Sequence, residues 1–294
     1  MLAEESTIEK SASISRIKDI ATLMKLRLSV LVVISAIACY FFAGGTLSMD
    51  LFYLISGGFL ITGASNGFNQ IIEKDIDKLM ERTMNRPLPQ GRMSVTEAII
   101  LSSTFGIAGA LLLFQLNWFS GVLGILAMVL YAALYTPLKP ITPWSVFVGA
   151  FPGAIPPMIG IVAVDGKFSL MAGIMFLIQF IWQFPHFWAI AWVKDDDYAK
   201  AGFSLLPMKS RKSHTSAMLV MLYSALMVPV GTLPWFFGWT SDWTLILGTA
   251  FGLWFFMVAY RFYLKQEDKY ARKLMFASFI YLPMLQFLYV FDKL

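Results

Sequence analysis

The residues best placed to do chemistry lie between Asn66 and Arg86, where amides and carboxylates recur at helical spacing and arginines follow. Asn66, Asn69, Glu73 and Asp77 are separated by three, four and four residues, so a continuous helix through them stacks all four on one face. An oxygen-only ladder of this kind suits a hard cation such as Mg2+, which takes one or two carboxylates and shares the rest of its shell with substrate phosphates. Arg82 and Arg86, immediately beyond, are forks matched to phosphate oxygens. Charge alone reads first as a solvated helix end whose acids and bases pair at i, i+4. The two amides argue against that, because they lie deeper in an apolar stretch, where polar groups are costly unless they face a protein interior or a wet cavity.

Two further sets stand out. Gln179, Gln183 and His186 sit at spacings of four and three and so share a helical face, which predicts a lining face rather than a lipid face. A lone membrane histidine is more often an interhelical hydrogen-bonder than a ligand. Asp195, Asp196 and Asp197 are consecutive, point in different directions on a helix, and do not all reach one ion. Asp197, beside Tyr198, is the best candidate there for a second metal ligand, with Asp196 behind it; a solvated loop turn is the competing reading.

The elements that must carry these groups follow from composition. Of 294 residues, 58% are hydrophobic and 14% charged, against roughly 25% charged in a soluble domain. Apolar stretches near the bilayer-crossing length recur at about 28–44, 51–72, 96–115, 118–135, 144–164, 168–192, 214–238, 242–263 and 271–291. Short breaks at Asn117-Trp118 and Asp165-Gly166-Lys167 leave eight or ten spans open. Charge decides for nine: every Lys and Arg except Lys167 and Lys293 then falls on one side. The positive-inside rule puts that side, and the amino terminus, in the cytoplasm. The expected fold is therefore all-α and polytopic, with about nine transmembrane helices around a central cavity in a bacterial cytoplasmic membrane. Residues 1–27 read as an amino-terminal cytoplasmic or interfacial segment, with a short amphipathic helix over 14–20, and residues 28–294 as one transmembrane domain. The net charge of +5 is accounted for by topology and implies no nucleic-acid partner. The lone Cys39 lies within span one and reads as a small buried apolar residue. Span five contains Phe151-Pro152-Gly153-Ala154-Ile155-Pro156-Pro157, which predicts an interrupted helix bordering a pocket.

The run from Asn69 to Pro87, NQIIEKDIDKLMERTMNRP, resembles the first signature of the UbiA-type intramembrane prenyltransferases, and within them the haem-prenylating branch. Glu73 stands where the wider family usually has Asp. The likeness continues through Tyr135-Thr136-Pro137-Leu138-Lys139, Thr142-Pro143-Trp144, Gly153 to Gly160, Gln183-Phe184-Pro185-His186-Phe187-Trp188 and Asp197-Tyr198. Two departures are Pro140, where a second cation is more usual, and Ala191 and Ala201, where a second carboxylate one turn from Asp195 or Asp197 would stand. The resemblance implies transfer of a farnesyl group from farnesyl diphosphate to a vinyl group of haem b, in a lipid bilayer, with Mg2+ held by Asn69, Glu73 and Asp77 and a second site near Asp196 and Asp197. It also implies that Arg27, Arg82, Arg86 and Lys139 meet the diphosphate, that Asn66, Tyr135, Gln183 and Tyr198 contact substrate, and that Trp182, Trp188 and Tyr135 line the cavity. His186 is then a candidate to contact haem or handle a proton. A haem A synthase or a terminal oxidase is the implied downstream partner. A quinone-precursor acceptor and a non-catalytic haem-binding protein are the rival readings.

Overall fold

The computed structural model describes residues 15–208 and 211–294; expectations involving Lys10, Ile14 and Lys209 lie outside them. Among the described residues nine helices are long and apolar enough to cross a bilayer. We label them α1 (Leu26–Ala43), α2 (Met49–Ile72), α3 (Val95–Leu116), α4 (Trp118–Leu138), α5 (Ser145–Asp165), α6 (Leu170–Val193), α7 (His214–Phe236), α8 (Asp242–Lys265) and α9 (Asp268–Phe291). They agree with the sequence-predicted spans to within three residues at each end. Residues 15–23 form the expected short helix before α1.

Each spanning helix packs on its neighbours in sequence, and α1 closes the arrangement by packing on both α5 and α9. In lipid there is little hydrophobic drive between helices, so small residues and close backbone approach carry the packing. At the α2–α3 crossing a Cβ on Gly109 would lie 2.7 Å from the Ile61 backbone nitrogen, so only glycine permits that approach. Polar ties add to it: Asn117 Nδ2 donates to the Val162 carbonyl at 2.9 Å, joining α5 to the α3–α4 junction.

Two helical expectations are corrected. The helix of α2 stops at Ile72 and does not run through Asp77, which sits in a 3-10 turn, Ile76–Leu79. One bond survives the break: Asp77 N–H donates to the Glu73 carbonyl at 2.7 Å, so Asp77 still follows Glu73 by a tight turn. Helix α5 remains helical from Ser145 to Asp165 with Pro152, Pro156 and Pro157 inside it. The prolines remove donors from the ladder without interrupting the helix, a loss that membrane helices tolerate where neighbouring helices pack around them; α6 packs closely on α5, and its Gln183 Nε2 donates to the Ala150 carbonyl at 2.9 Å. The other irregularity is a π-helical turn in α4, Leu130–Tyr135, a feature often found at functional sites.

Candidate active site

At the charged end of the bundle the three foremost oxygen donors are brought together with three cations. Lys25 Nζ donates to Asn69 Oδ1 at 2.8 Å. Lys139 Nζ donates to Glu73 Oε1 at 2.8 Å, and Arg86 Nη1 to Asp77 Oδ2 at 2.6 Å. All three acceptor residues are buried, Asp77 completely. Burial pushes the Asp77 carboxyl above its ordinary value, against the pull of the Arg86 guanidinium. Burial, with Arg86 and Lys139 nearby, holds the Lys25 ammonium well below the usual lysine range. Asp77 Oδ1 is enclosed and has no hydrogen-bond partner among the described residues.

Lys25 was not among the sequence-predicted site residues; Arg27 was. The structure reverses the two. Lys25 has left-handed backbone angles, φ 47° and ψ 57°, at the join between the 15–23 helix and α1. That kink turns Lys25 inward and leaves Arg27 exposed on the outside of α1. The kink also frees the last carbonyls of the short helix, and α2 supplies the donors. Gln70 Nε2 reaches the Thr22 and Leu23 carbonyls at 3.0 and 2.8 Å, and Asn66 Nδ2 reaches the Met24 carbonyl at 3.3 Å. Thr136, also missed, accepts from Asn69 Nδ2 at 3.1 Å and so fixes which way the amide faces.

One helical turn below Asn69, Asn66 borders an apolar cavity of about 190 Å3 between α1, α2, α4, α5 and α6. Its walls are aliphatic apart from Thr62, Ser65, Asn66, Gln183 and the rings of Tyr131, Tyr135 and Phe187. The π-helical turn brings those two rings along the wall, 5.3 Å apart, and Lys139 Nζ lies 4.6 Å above the Tyr135 ring. Pro152, Gly153 and Pro156 form the α5 wall, so the expected pocket beside span five is present.

Other expectations are corrected. Trp182 and Trp188 do not line the cavity: Trp182 stacks on His186 and donates to the Ser278 carbonyl at 3.0 Å, and Trp188 packs against Phe184 and Tyr223. Gln183 and His186 do not share one lining face. Gln183 faces α5 and the cavity, whereas His186 is turned to Ser278 and Phe279 on α9.

The second acidic cluster is engaged in ion pairs. Arg211 bridges Asp195 at 2.9 Å and Asp196 at 3.2 Å. Asp196 is mostly exposed, so it points away from the ring of donors. Asp197 Oδ1 accepts from the Glu81 backbone N–H at 2.9 Å, and Lys200 bridges to Glu81 at 2.6 Å. Arg82 lies 5.0 Å over the Tyr198 ring. These contacts clasp the α2–α3 segment to the α6–α7 segment over the site. Among the described residues no three His, Cys, Asp or Glu side chains converge as a complete metal cage. Asn69, Glu73 and Asp77 still fit Mg2+. The orphaned Asp77 Oδ1 is an acceptor waiting for a cation, and an ion with few protein ligands draws the remainder from phosphate and water.

The model of the UbiA prenyltransferase family matches residues 32–282. The chain is 45% identical over 287 residues to "Protoheme IX farnesyltransferase" of Christiangramia forsetii, covering 96% of this chain and 95% of that protein. Its fold is similar to a solved digeranylgeranylglyceryl phosphate synthase, with TM-score 0.79, 19% identity, and coverage of 95% of this chain and 98% of that one. It is also similar to a UbiA homologue from Archaeoglobus fulgidus bound to GPP and Mg2+, with TM-score 0.68, 14% identity, and coverage of 92% and 99%.

Proposed function

The chain belongs to the UbiA prenyltransferase family, and on that premise we propose that it transfers a farnesyl group from farnesyl diphosphate to a vinyl group of haem b, giving haem O and diphosphate. The observation that carries this is the ring of three cation-held oxygen donors at the mouth of an apolar cavity. The name of the Christiangramia relative supports the substrate pair, and the Mg2+ bound by the Archaeoglobus homologue supports the metal. The charged end is read as cytoplasmic in a bacterial cytoplasmic membrane, supported by the positive-inside rule.

Asn69, Glu73 and Asp77 would hold Mg2+, which when bound would supply Lewis-acid stabilisation to the leaving diphosphate. Lys25, Lys139 and Arg86 already point at this position and need only exchange a carboxylate or amide partner for a phosphate oxygen. As the allylic carbon–oxygen bond breaks, charge grows on the diphosphate, and these fixed cations stabilise it more than they stabilise the intact substrate. The prenyl chain lies in the cavity, where the Tyr131 and Tyr135 rings face the developing allylic cation and water is kept out. The haem vinyl π bond then forms the new carbon–carbon bond. Water adds to the resulting cation beside the porphyrin and loses a proton to give the hydroxyethyl group.

The test is a product assay on purified protein in lipid with haem b, farnesyl diphosphate and Mg2+. Haem O should form by mass and cease on chelation. Absence of diphosphate release under these conditions would refute a transferase.

A further inference from the structure

The apolar cavity begins one helical turn below the ring of donors and ends inside the bundle. Asn66 and Tyr135 line it near the ring, and Ala36, Leu54 and Ile159 line its far end. Leu54 and Ile159 are buried members of the main core. Just past Ile159, α5 touches α1: a Cβ on Gly160 would meet the Ala36 carbonyl and lie 2.9 Å from the Tyr40 backbone nitrogen. Backbones in contact leave no gap for a chain to pass, so the cavity is blind on that side.

A blind cavity beneath a fixed head group limits the length of the tail it takes. Asn66 and Leu54 are about 18 Å apart along α2. With carbon–carbon bonds of standard length, extended geranyl, farnesyl and geranylgeranyl chains reach about 9, 14 and 19 Å. The end methyl needs about 2 Å more for its contact radius. A farnesyl chain then ends just short of Leu54, and a geranylgeranyl chain overruns it. A geranyl chain leaves the far end of the cavity unfilled and forgoes the contacts there.

Gly58 gives the same reading independently. It lines the cavity one turn above Leu54 on the same face of α2. Its neighbour Gly57 is needed for packing, because a Cβ there would press on Leu113 at 3.0 Å and on the Gly109 carbonyl at 3.1 Å. A Cβ on Gly58 would meet only the Val33 side chain, at 3.6 Å, which is ordinary contact. Helix packing therefore does not require glycine at position 58, and the missing side chain is cavity space. The step from Leu54 to Gly58 is about 6 Å, close to the length of one isoprene unit.

We propose that Leu54, with Ala36 and Ile159, forms a floor that measures the prenyl chain, and that Gly58 keeps the last isoprene unit's place open. This rests on a prenyl diphosphate being the donor. Purified protein in lipid is given haem b, Mg2+ and an equimolar mixture of geranyl, farnesyl and geranylgeranyl diphosphates, and consumption of each is followed by mass. Because the three compete in one reaction, their ratio does not depend on how much of a variant has folded. The wild type should consume farnesyl diphosphate at least tenfold faster than either of the others. Leu54→Ala and, from the facing wall, Ile159→Ala should each raise geranylgeranyl use relative to farnesyl at least tenfold. Gly58→Leu should raise geranyl use relative to farnesyl by a similar factor. A farnesyl preference unmoved by all three substitutions would overturn the floor and leave the transferase reading intact, as would a wild type that takes geranylgeranyl diphosphate as readily as farnesyl. A wild type that consumes none of the three would overturn both.

Discussion

At the scale of single residues, the site is a set of exchanges waiting to happen. Each oxygen donor proposed for metal is held by a cation proposed for diphosphate. Removing one member of such a buried pair leaves the other uncompensated, at a cost of about 3–5 kcal/mol, so amide substitutions are the cleaner test. Asp77→Asn should reduce turnover roughly 10²–10³-fold while the protein still folds, as read by haem O formation. Lys25→Met should raise the KM for farnesyl diphosphate, whereas Arg27→Met should not; equal effects would refute the inward placement of Lys25. That Asn69, Glu73 and Asp77 lie near one another was legible from their spacing, although the helix carrying Asn69 ends at Ile72 and a 3-10 turn, not a continuous helix, brings Asp77 in. Lys25 was not, because among basic residues that all satisfy topology nothing local marks the one at a left-handed kink.

At the scale of elements, the nine helices were legible because a bilayer imposes one length and one composition on every span. What hydropathy does not encode is rotation about the helix axis. Gln183 and His186 share a spacing but look to different partners, since α6 is packed on both α5 and α9 and each takes one of them. Crossing points are equally hidden, and they yield a sharp test. Gly109→Ala places a methyl against the Ile61 backbone and should destabilise the fold by about 1–3 kcal/mol. Gly173→Ala, which meets nothing within 4 Å, should be neutral or stabilising. A thiol-reactive dye is a natural reporter for both, because the buried Cys39 is the sole cysteine and becomes reactive only on unfolding. The Gly109 variant should unfold at lower temperature; equal midpoints for the two would mean that the α2–α3 contact is not tight.

For the whole molecule, the asymmetry of charge serves two ends at once. The loops that carry nearly all the Lys and Arg also fold back over the cavity, where Lys25, Arg86 and Lys139 meet the donors and the two long segments are clasped through Glu81, Asp197 and Lys200. In the proposed reaction insertion and catalysis constrain the same residues, and orientation decides from which side a charged substrate arrives. The proposed orientation can be tested with single cysteines in a Cys39→Ser background. Lys167→Cys lies at the turn between α5 and α6, at the opposite end of the bundle from the ring of donors. It should react in intact cells with a thiol reagent that does not cross the membrane. Lys200→Cys, in the clasp over the active site, should react only once the membrane is opened. Because the nine spans among the described residues place Arg16 and Lys293 on opposite faces, a reversed pattern would invert every assignment of side while leaving the site geometry untouched. Labelling of both positions from outside would contradict the topology itself, since it would require an even number of crossings between Lys167 and Lys200, where α6 makes one.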